Sequence, residues 1–334
     1  MQTIGDLARG LALQNRQNVI KDKLEDLTTE MTTGIKADPA LDLAGDTTRI
    51  SHLQTGLSRI QAYLLANTEA ELAVDATQAV LSDIQSQTEK LGVDFLKVDL
   101  ATSPQARSAM SHSARETFST LVSRLNTSVV GRSLFAGTAT QQAPLKTSSE
   151  MLDDLKSHLL GATTAAEVMD RLDFWFDDPA GGFNTQAYLG SKTDLQPYQL
   201  SETETVELSV RADNSVFRNL MKQAAIGHLA ADQNLAFTDN VQTALLSQAG
   251  RGIVNGQTAL TNLRADVGSV QERISETRNR NEANQNTLRL ARNSIVSADP
   301  YQTATRLEQV QAQLEALYVV TSRNREISLV NFLR

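Results

Sequence analysis

Residues 253–295, IVNGQTALTNLRADVGSVQERISETRNRNEANQNTLRLARNSI, decide the fold. Ile253, Gly256, Leu260, Leu263, Val267, Val270, Ile274, Thr277, Asn281, Asn284, Leu288, Ala291 and Ile295 step by three and four throughout, and no proline interrupts them. This is the period of an α-helix laid along a second helix in a coiled-coil seam. A helix from Asp239 to Ser297 is roughly 85 Å long at 1.5 Å per residue. Such a helix does not fold back on itself to bury its stripe, so partner helices are required.

The flanking sequence supplies them. A first helix is predicted over Ile4–Thr33, with Leu13, Ile20, Leu24, Leu27 and Met31 in its seam and Gln17 filling one slot. Gly34 follows as the residue that stops it. Residues 35–46 read as a loop, with Asp38-Pro39 as a turn signal, Gly45 near its end, and Asp46 or Thr47 as the cap of the next helix. That second helix, Thr47–Leu96, carries Ile50, Leu53, Leu57, Ile60 and Leu64 in clean alternation, then Leu72, Val80, Leu81, Ile84 and Leu91. After a loop at Asp99–Thr102, Ser103 and Pro104 read as N-cap and first helical residue. The third helix should bury Met110, Ala114, Phe118, Leu121 and Leu125 and end near Gly131. Ser297-Ala298-Asp299-Pro300-Tyr301 reads as a stop and a restart. The last helix then carries Ala304, Leu307, Gln311, Leu314, Leu317 and Thr321 and runs almost to Arg334.

The middle of the chain changes character. Helices are predicted at Ser149–Leu160 and Ala165–Phe176, a turn at Ala180-Gly181-Gly182, and extended chain at Tyr188-Leu189 and Leu195–Leu200. Residues 205–212 alternate: Val206, Leu208, Val210 and Ala212 point one way, Glu207, Ser209 and Arg211 the other, as in a half-buried strand. Asn214 or Ser215 caps a helix through Ala231. The fold class is therefore mainly α: a long coiled-coil-like helical rod built from N- and C-terminal segments, with a small α+β insert. The expected divisions are a terminal helical domain (1–46 with 298–334), a helical rod domain (47–140 with 237–297) and the insert (141–236).

Aromatic residues are only 4% of the 334, which suits narrow helical seams better than a thick core. The net charge of −8, from 31 basic and 39 acidic residues spread along the chain, argues against a nucleic-acid groove and favours protein partners. With no cysteine, disulfides, thiolate catalysis and cysteine-ligated zinc are excluded. The first residues lack the basic and apolar regions of a secretory signal, and no apolar run is long enough to span a membrane. Export, if it occurs, is expected by a route without a cleaved signal of that kind.

A search for chemistry finds no active site. His52, His112, His158 and His228 show no metal-binding spacing. Gly250-Arg251-Gly252 with Gly256 only faintly suggests a phosphate loop, and it lies inside a helical pattern, where close helix packing is the better reading. Gly131-Arg132-Ser133 starts like a nucleophile elbow, but Phe135 stands in place of the required glycine. Phe174-Trp175-Phe176 reads as the core of the insert. Asn126-Thr127-Ser128 matches a glycosylation pattern formally but falls within the predicted third helix. Asp153-Asp154 and Asp177-Asp178 suit helix starts and turns. Neither an enzyme nor a bound cofactor or metal is expected.

The arrangement resembles the flagellin superfamily: helices at both termini, a helical rod within them, and a variable domain inserted in the middle. Met31-Thr32-Thr33-Gly34-Ile35-Lys36 and then Asp38-Pro39 are similar to that group's Leu-Ser-Ser-Gly-Lys segment and the Asp-Pro turn after it. Ala37 stands where the usual Asp-Asp-Pro has its first aspartate. Leu134-Phe135-Ala136-Gly137-Thr138 is similar to the signature closing the N-terminal half. Ile327-Ser328-Leu329-Val330-Asn331-Phe332-Leu333 resembles the C-terminal end of the hook–filament junction branch. The likeness covers about residues 1–140 and 237–334. It implies a secreted structural component of the bacterial flagellum, exported unfolded through the flagellar type III apparatus, with an export chaperone among its partners. It further implies a homo-oligomeric ring between a hook-side junction protein and flagellin, with no nucleic acid and no membrane span. The terminal helices would form the inner tube, through Leu13, Ile20, Leu24, Leu27, Met31, Leu307, Leu314, Leu317, Leu329 and Phe332, and would order only on assembly. Filament flagellin is the nearest alternative and a cytoplasmic coiled-coil scaffold a more distant one.

Overall fold

The computed structural model describes residues 4–42, 47–98 and 102–332. The fold is mainly α. Its helices are α1 (Ile4–Thr33), a single turn α2 (Pro39–Asp42), α3 (Thr48–Leu96), α4 (Pro104–Leu125), α5 (Ser148–Leu159), α6 (Ala165–Asp177), α7 (Ser215–Leu229), α8 (Asp239–Val296) and α9 (Pro300–Phe332). Two small antiparallel hairpins accompany them: β1 (Ser128–Val129) with β2 (Arg132–Ser133), and β3 (Tyr198–Gln199) with β4 (Thr205–Val206). The chain forms two compact units, Met1–Gln61 with Ala283–Arg334, and Ala62–Glu282. The expected cap at Asp46 and most of the Asp99–Thr102 loop lie outside the described residues.

In the larger unit the 253–281 stripe is buried as its spacing requires. Ile253, Leu260, Val267 and Ile274 are inaccessible, with Leu263 and Val270 packed against the core. Their partner is α3, whose Val74, Leu81, Ile84 and Leu91 are also buried. A ladder of polar contacts runs beside the seam: Thr88 to Gln257, Gln78 to the Arg264 carbonyl, Asp75 to Gln271, and Glu71 to Arg278. As the α3 number falls the α8 number rises, so the two helices are antiparallel.

α7 closes this helical core. From Leu220 to Gly227 it is buried on all sides, which requires neighbours all round. Gly227 lies against Phe95 of α3 and Ala114 of α4, and Ser111 of α4 hydrogen-bonds the His228 carbonyl. Gln223 lies against Gly252 of α8, and Leu220 against Gly256. The glycines at 250, 252 and 256 therefore serve close helix packing. A phosphate loop is not built there, because all three lie inside α8.

The insert is held by its own caps. Thr147 with Glu150 and Thr164 with Glu167 form capping boxes on α5 and α6, and the threonine hydrogen bonds hold both carboxyls below their usual range. Trp175, Phe176 and Phe183 form an aromatic cluster, with Phe183 stacked on Tyr188, and the Trp175 indole donates to Asp154. Phe174 is the exception in that aromatic run, because it faces outward and stacks on His158.

Three local expectations are corrected. The third helix stops at Leu125, six residues before Gly131, because the Asn126 side chain leaves the helix to accept from the Leu145 N–H and donate to its carbonyl. Asn126 is thus a helix cap, not a mid-helix residue. Of 205–212, only Thr205–Val206 belongs to a ladder. The in-and-out alternation persists, with Val206, Val210 and Ala212 buried, but among the described residues no neighbouring strand runs beside the remainder. At the end of the α8 stripe Asn284 is exposed and Gln285 buried, so two successive steps of four interrupt the alternation.

A methyl group on Gly227 would come within 2.1 Å of the Phe95 ring, whereas one on Gly10 in α1 meets nothing within 4 Å. Gly227→Ala should cost about 1–3 kcal/mol. Gly10→Ala should cost nothing or gain about 0.5–1 kcal/mol in helix propensity. Urea unfolding of the two variants beside the parent checks both signs.

Candidate assembly interface

The smaller unit is built on two helices with opposite ends of the sequence behind them. α1 and α9 pack along each other. On α1 the side chains turned toward the seam are Leu13, Gln17, Ile20, Leu24, Leu27 and Glu30. On α9 they are Thr303, Leu307, Val310, Leu314, Leu317 and Thr321. Both sets follow the 3-4 step of a coiled-coil seam, save for a second step of three from Leu27 to Glu30. Gln17 donates to the Tyr318 hydroxyl at 3.2 Å, filling the polar slot between Leu13 and Ile20.

The pair is fixed at one end by backbone hydrogen bonds. α1 stops at Gly34, whose φ of +69° is the left-handed conformation that ends a helix at little cost for glycine. Its N–H returns to the Glu30 carbonyl at 2.8 Å. The chain then runs beside the break between α8 and α9: Ala298 donates to Gly34, Lys36 donates to Val296, and Ile35 bridges Ser297. Asp299 caps α9 by accepting from the N–H groups of Tyr301 and Gln302, with Pro300 in the first position. With these breaks adjacent, Gln17 meeting Tyr318 makes α1 and α9 antiparallel.

Leu13, Ile20, Leu24, Leu27, Leu307, Leu314 and Leu317 therefore meet in one intrachain seam. Met31 does not: Glu30 takes the next inward position and accepts from the Ala37 N–H, leaving Met31 exposed. Gln311 is also exposed, and Val310 holds its place. The side chains of Leu329 and Phe332 lie outside the described residues. The outer faces remain strongly apolar in places: Leu11, Val19, Met31, Tyr301, Val319 and Val320 are all exposed. Among the described residues, Ile20 and Leu57 are the hydrophobic side chains of this unit that reach the buried class.

The segment that closes the N-terminal helical half has a clear physical role. Phe135 and Ala136 are fully buried, and Phe135 meets Phe217 edge-on at 6.1 Å. Gly137 has φ +57°, and a Cβ there would meet the carbonyl oxygens of Thr193 and Ser191 at 2.4 and 2.8 Å. Ser191 donates to the Ala136 carbonyl, and Thr138 donates to Thr193. Leu134-Phe135-Ala136-Gly137-Thr138 thus anchors the return loop of the insert.

Other residues with chemical potential are used structurally. The Ser133 hydroxyl donates to the Gln142 carbonyl. Lys222, largely buried, holds Asp173 at 2.6 Å and Asp177 at 2.8 Å. Burial alone would lower the pKa of Lys222, but these hydrogen bonds outweigh it and raise the value. Burial pushes the His228 imidazole down. Among the described residues no cluster of metal-ligating side chains occurs, and no helix is long and apolar enough to cross a membrane.

Two family models match the chain. The bacterial flagellin N-terminal helical region covers residues 4–140 and the bacterial flagellin C-terminal helical region covers residues 252–333, together about two thirds of the sequence. No curated protein matches it significantly by sequence. Among solved structures, one described as a flagellar hook-associated protein of Vibrio parahaemolyticus is similar, with 13% identity and a TM-score of 0.40. The match covers 77% of this chain and 96% of that one. The paired terminal helices, the antiparallel helices within them and the two matched regions agree: the chain belongs to the bacterial flagellin family, whose members are structural components of the flagellum.

Proposed function

We propose that this chain is a hook–filament junction protein, a ring of copies joining the hook-side junction protein to the flagellin filament. The observation that carries the reading is the C-terminal Ile327-Ser328-Leu329-Val330-Asn331-Phe332-Leu333, which resembles the end of that branch. In this reading residues 1–46 with 298–334 line the inner tube, 47–140 with 237–297 form the wall, and 141–236 face outward. The chain leaves the cell through the flagellar type III apparatus with an export chaperone, and it acts without catalysis. Met31, outside the intrachain seam, serves a contact with a neighbouring copy, as do Leu329 and Phe332.

A clean deletion separates this role from its rivals. Cells with hooks but without filaments, shedding flagellin monomers into the medium, are the expected result. Loss of the flagellin monomer itself would mark the chain as filament flagellin. Intact filaments and normal swimming would favour the scaffold reading.

The two terminal helices bury few apolar side chains. Each fully buried leucine contributes roughly 1.5–3 kcal/mol, while ordering one residue costs about 1–2 kcal/mol. α1 and α9 therefore order on assembly, not in the dilute monomer. Limited proteolysis of purified monomer should remove both ends and leave a resistant core from within 62–282, while assembled protein should resist. Leu24→Asp with Leu314→Asp should leave that core intact and abolish incorporation into flagella. Protease-resistant ends in dilute monomer would sink the idea.

A further inference from the structure

We propose that the turn of the β3–β4 hairpin is a clip that fastens α3 to α8, so that the insert helps hold the helix pair together. The seam between these helices is mainly apolar from Leu91 and Ile253 through Val74 and Ile274, with Thr77 and Thr88 bonded back to their own helix, but it then turns polar. Asn67, Thr277 and Asn281 are all buried there. A buried amide needs partners; Asn67 finds one in its own helix, the Tyr63 carbonyl at 2.6 Å, but among the described residues neither helix offers a partner to the other's amide. The hairpin does. Asn67 of α3 donates to the Leu200 carbonyl at 2.9 Å, and Asn281 of α8 donates to the same oxygen at 2.8 Å. One acceptor thus takes one side chain from each helix.

The rest of the turn is shaped to present that oxygen. Leu200 is fully buried, and its own N–H donates to the Glu204 carbonyl at 2.9 Å. The Glu204 carboxylate accepts from Thr277 at 2.9 Å and pairs with Arg280, while Arg273 lies 3.7 Å away. Arg273 also donates to the Thr205 carbonyl at 3.1 Å. Four residues of α8, spread over more than two turns, therefore grip a segment that is more than 60 residues distant in sequence. The clip sits where the helices lack leucine, isoleucine or valine to hold them. It is independent of the junction role and applies equally if the chain is filament flagellin.

Hydrogen exchange on the full-length monomer tests the clip. Glu204→Ala removes the carboxylate contacts from a partly exposed side chain and should leave the insert folded. Exchange should rise ~10-fold or more in residues 62–75 and 267–282, with α5 and α6 unchanged. A rise confined to 198–206 would overturn the proposal, because the hairpin would then be a passenger. A uniform rise over 62–282 would overturn it too, because Glu204 would then act on global stability. Asn67→Leu with Asn281→Leu gives the complementary test. It supplies the seam with apolar side chains, so the helices should stay protected while 198–206 exchanges faster. A hairpin that stays protected in this variant would show that the two amides do not hold it.

Discussion

The antiparallel seam between α3 and α8 is the constraint on which the rest of this molecule depends. Each helix carries a stripe that is hydrophobic on one side only, and neither stripe can be buried alone. Their union brings residues about 200 positions apart into register, as at Glu71 with Arg278 and Gln78 with the Arg264 carbonyl. Everything between them in sequence must then leave and return at the same end. α4 leaves, α7 returns, and the glycines at 227, 250, 252 and 256 let these helices approach more closely than a Cβ would allow. The insert is what the chain does between departure and return, and its return segment is anchored at Gly137.

The helix ends were legible because their signals are local. Gly34 ends α1, Ser103-Pro104 opens α4 and Asp299-Pro300 opens α9, each through a cap that the neighbouring residues alone determine. The starts of α5 and α6 carry an equally local signal, since Thr147-x-x-Glu150 and Thr164-x-x-Glu167 are capping boxes, although the helices predicted there do not rest on it. The end of α4 was not. Asn126 is drawn away by the backbone of Leu145, nineteen residues on, and no local rule contains that partner. Residues 205–212 mislead for a related reason: alternation reports which side faces the core, while a ladder also requires a second strand alongside.

The seam of the terminal pair was legible in its leucines and less so in its ends. Leu13, Ile20, Leu24 and Leu27 fix one line on α1, and Leu307, Leu314 and Leu317 fix another on α9. One step beyond, the alternation of three and four points to Met31, and so does hydrophobicity, yet the seam takes a second step of three to Glu30. Glu30 wins the inward place because its carboxylate has a donor waiting in the Ala37 N–H. At 310–311 hydrophobicity alone would have favoured Val310, the residue that occupies the seam. The clip at Leu200 was invisible in sequence, because an acceptor carbonyl carries no residue signature.

The polarity of the helices changes along their length, and the change has a mechanical meaning. Between Gly92–Ile253 and Val74–Ile274 the seam is mainly aliphatic, and its buried Thr77 and Thr88 hydroxyls donate to carbonyls of their own helix. Beyond it Asn67, Thr277, Asn281 and Gln285 occupy buried positions, and the alternation breaks at Gln285. Buried amides contribute little unless satisfied, but they discriminate sharply against wrong partners, which leave them unpaired. The terminal helices extend this logic: Gln17 and Thr303 interrupt the seam between α1 and α9, while aliphatic and aromatic side chains remain on the outside. Members of the bacterial flagellin family assemble into the flagellum, so copies of the chain must meet one another through their surfaces. A seam that is well buried between α3 and α8, and that buries fewer apolar side chains between α1 and α9, leaves apolar surface on the terminal helices for such contacts.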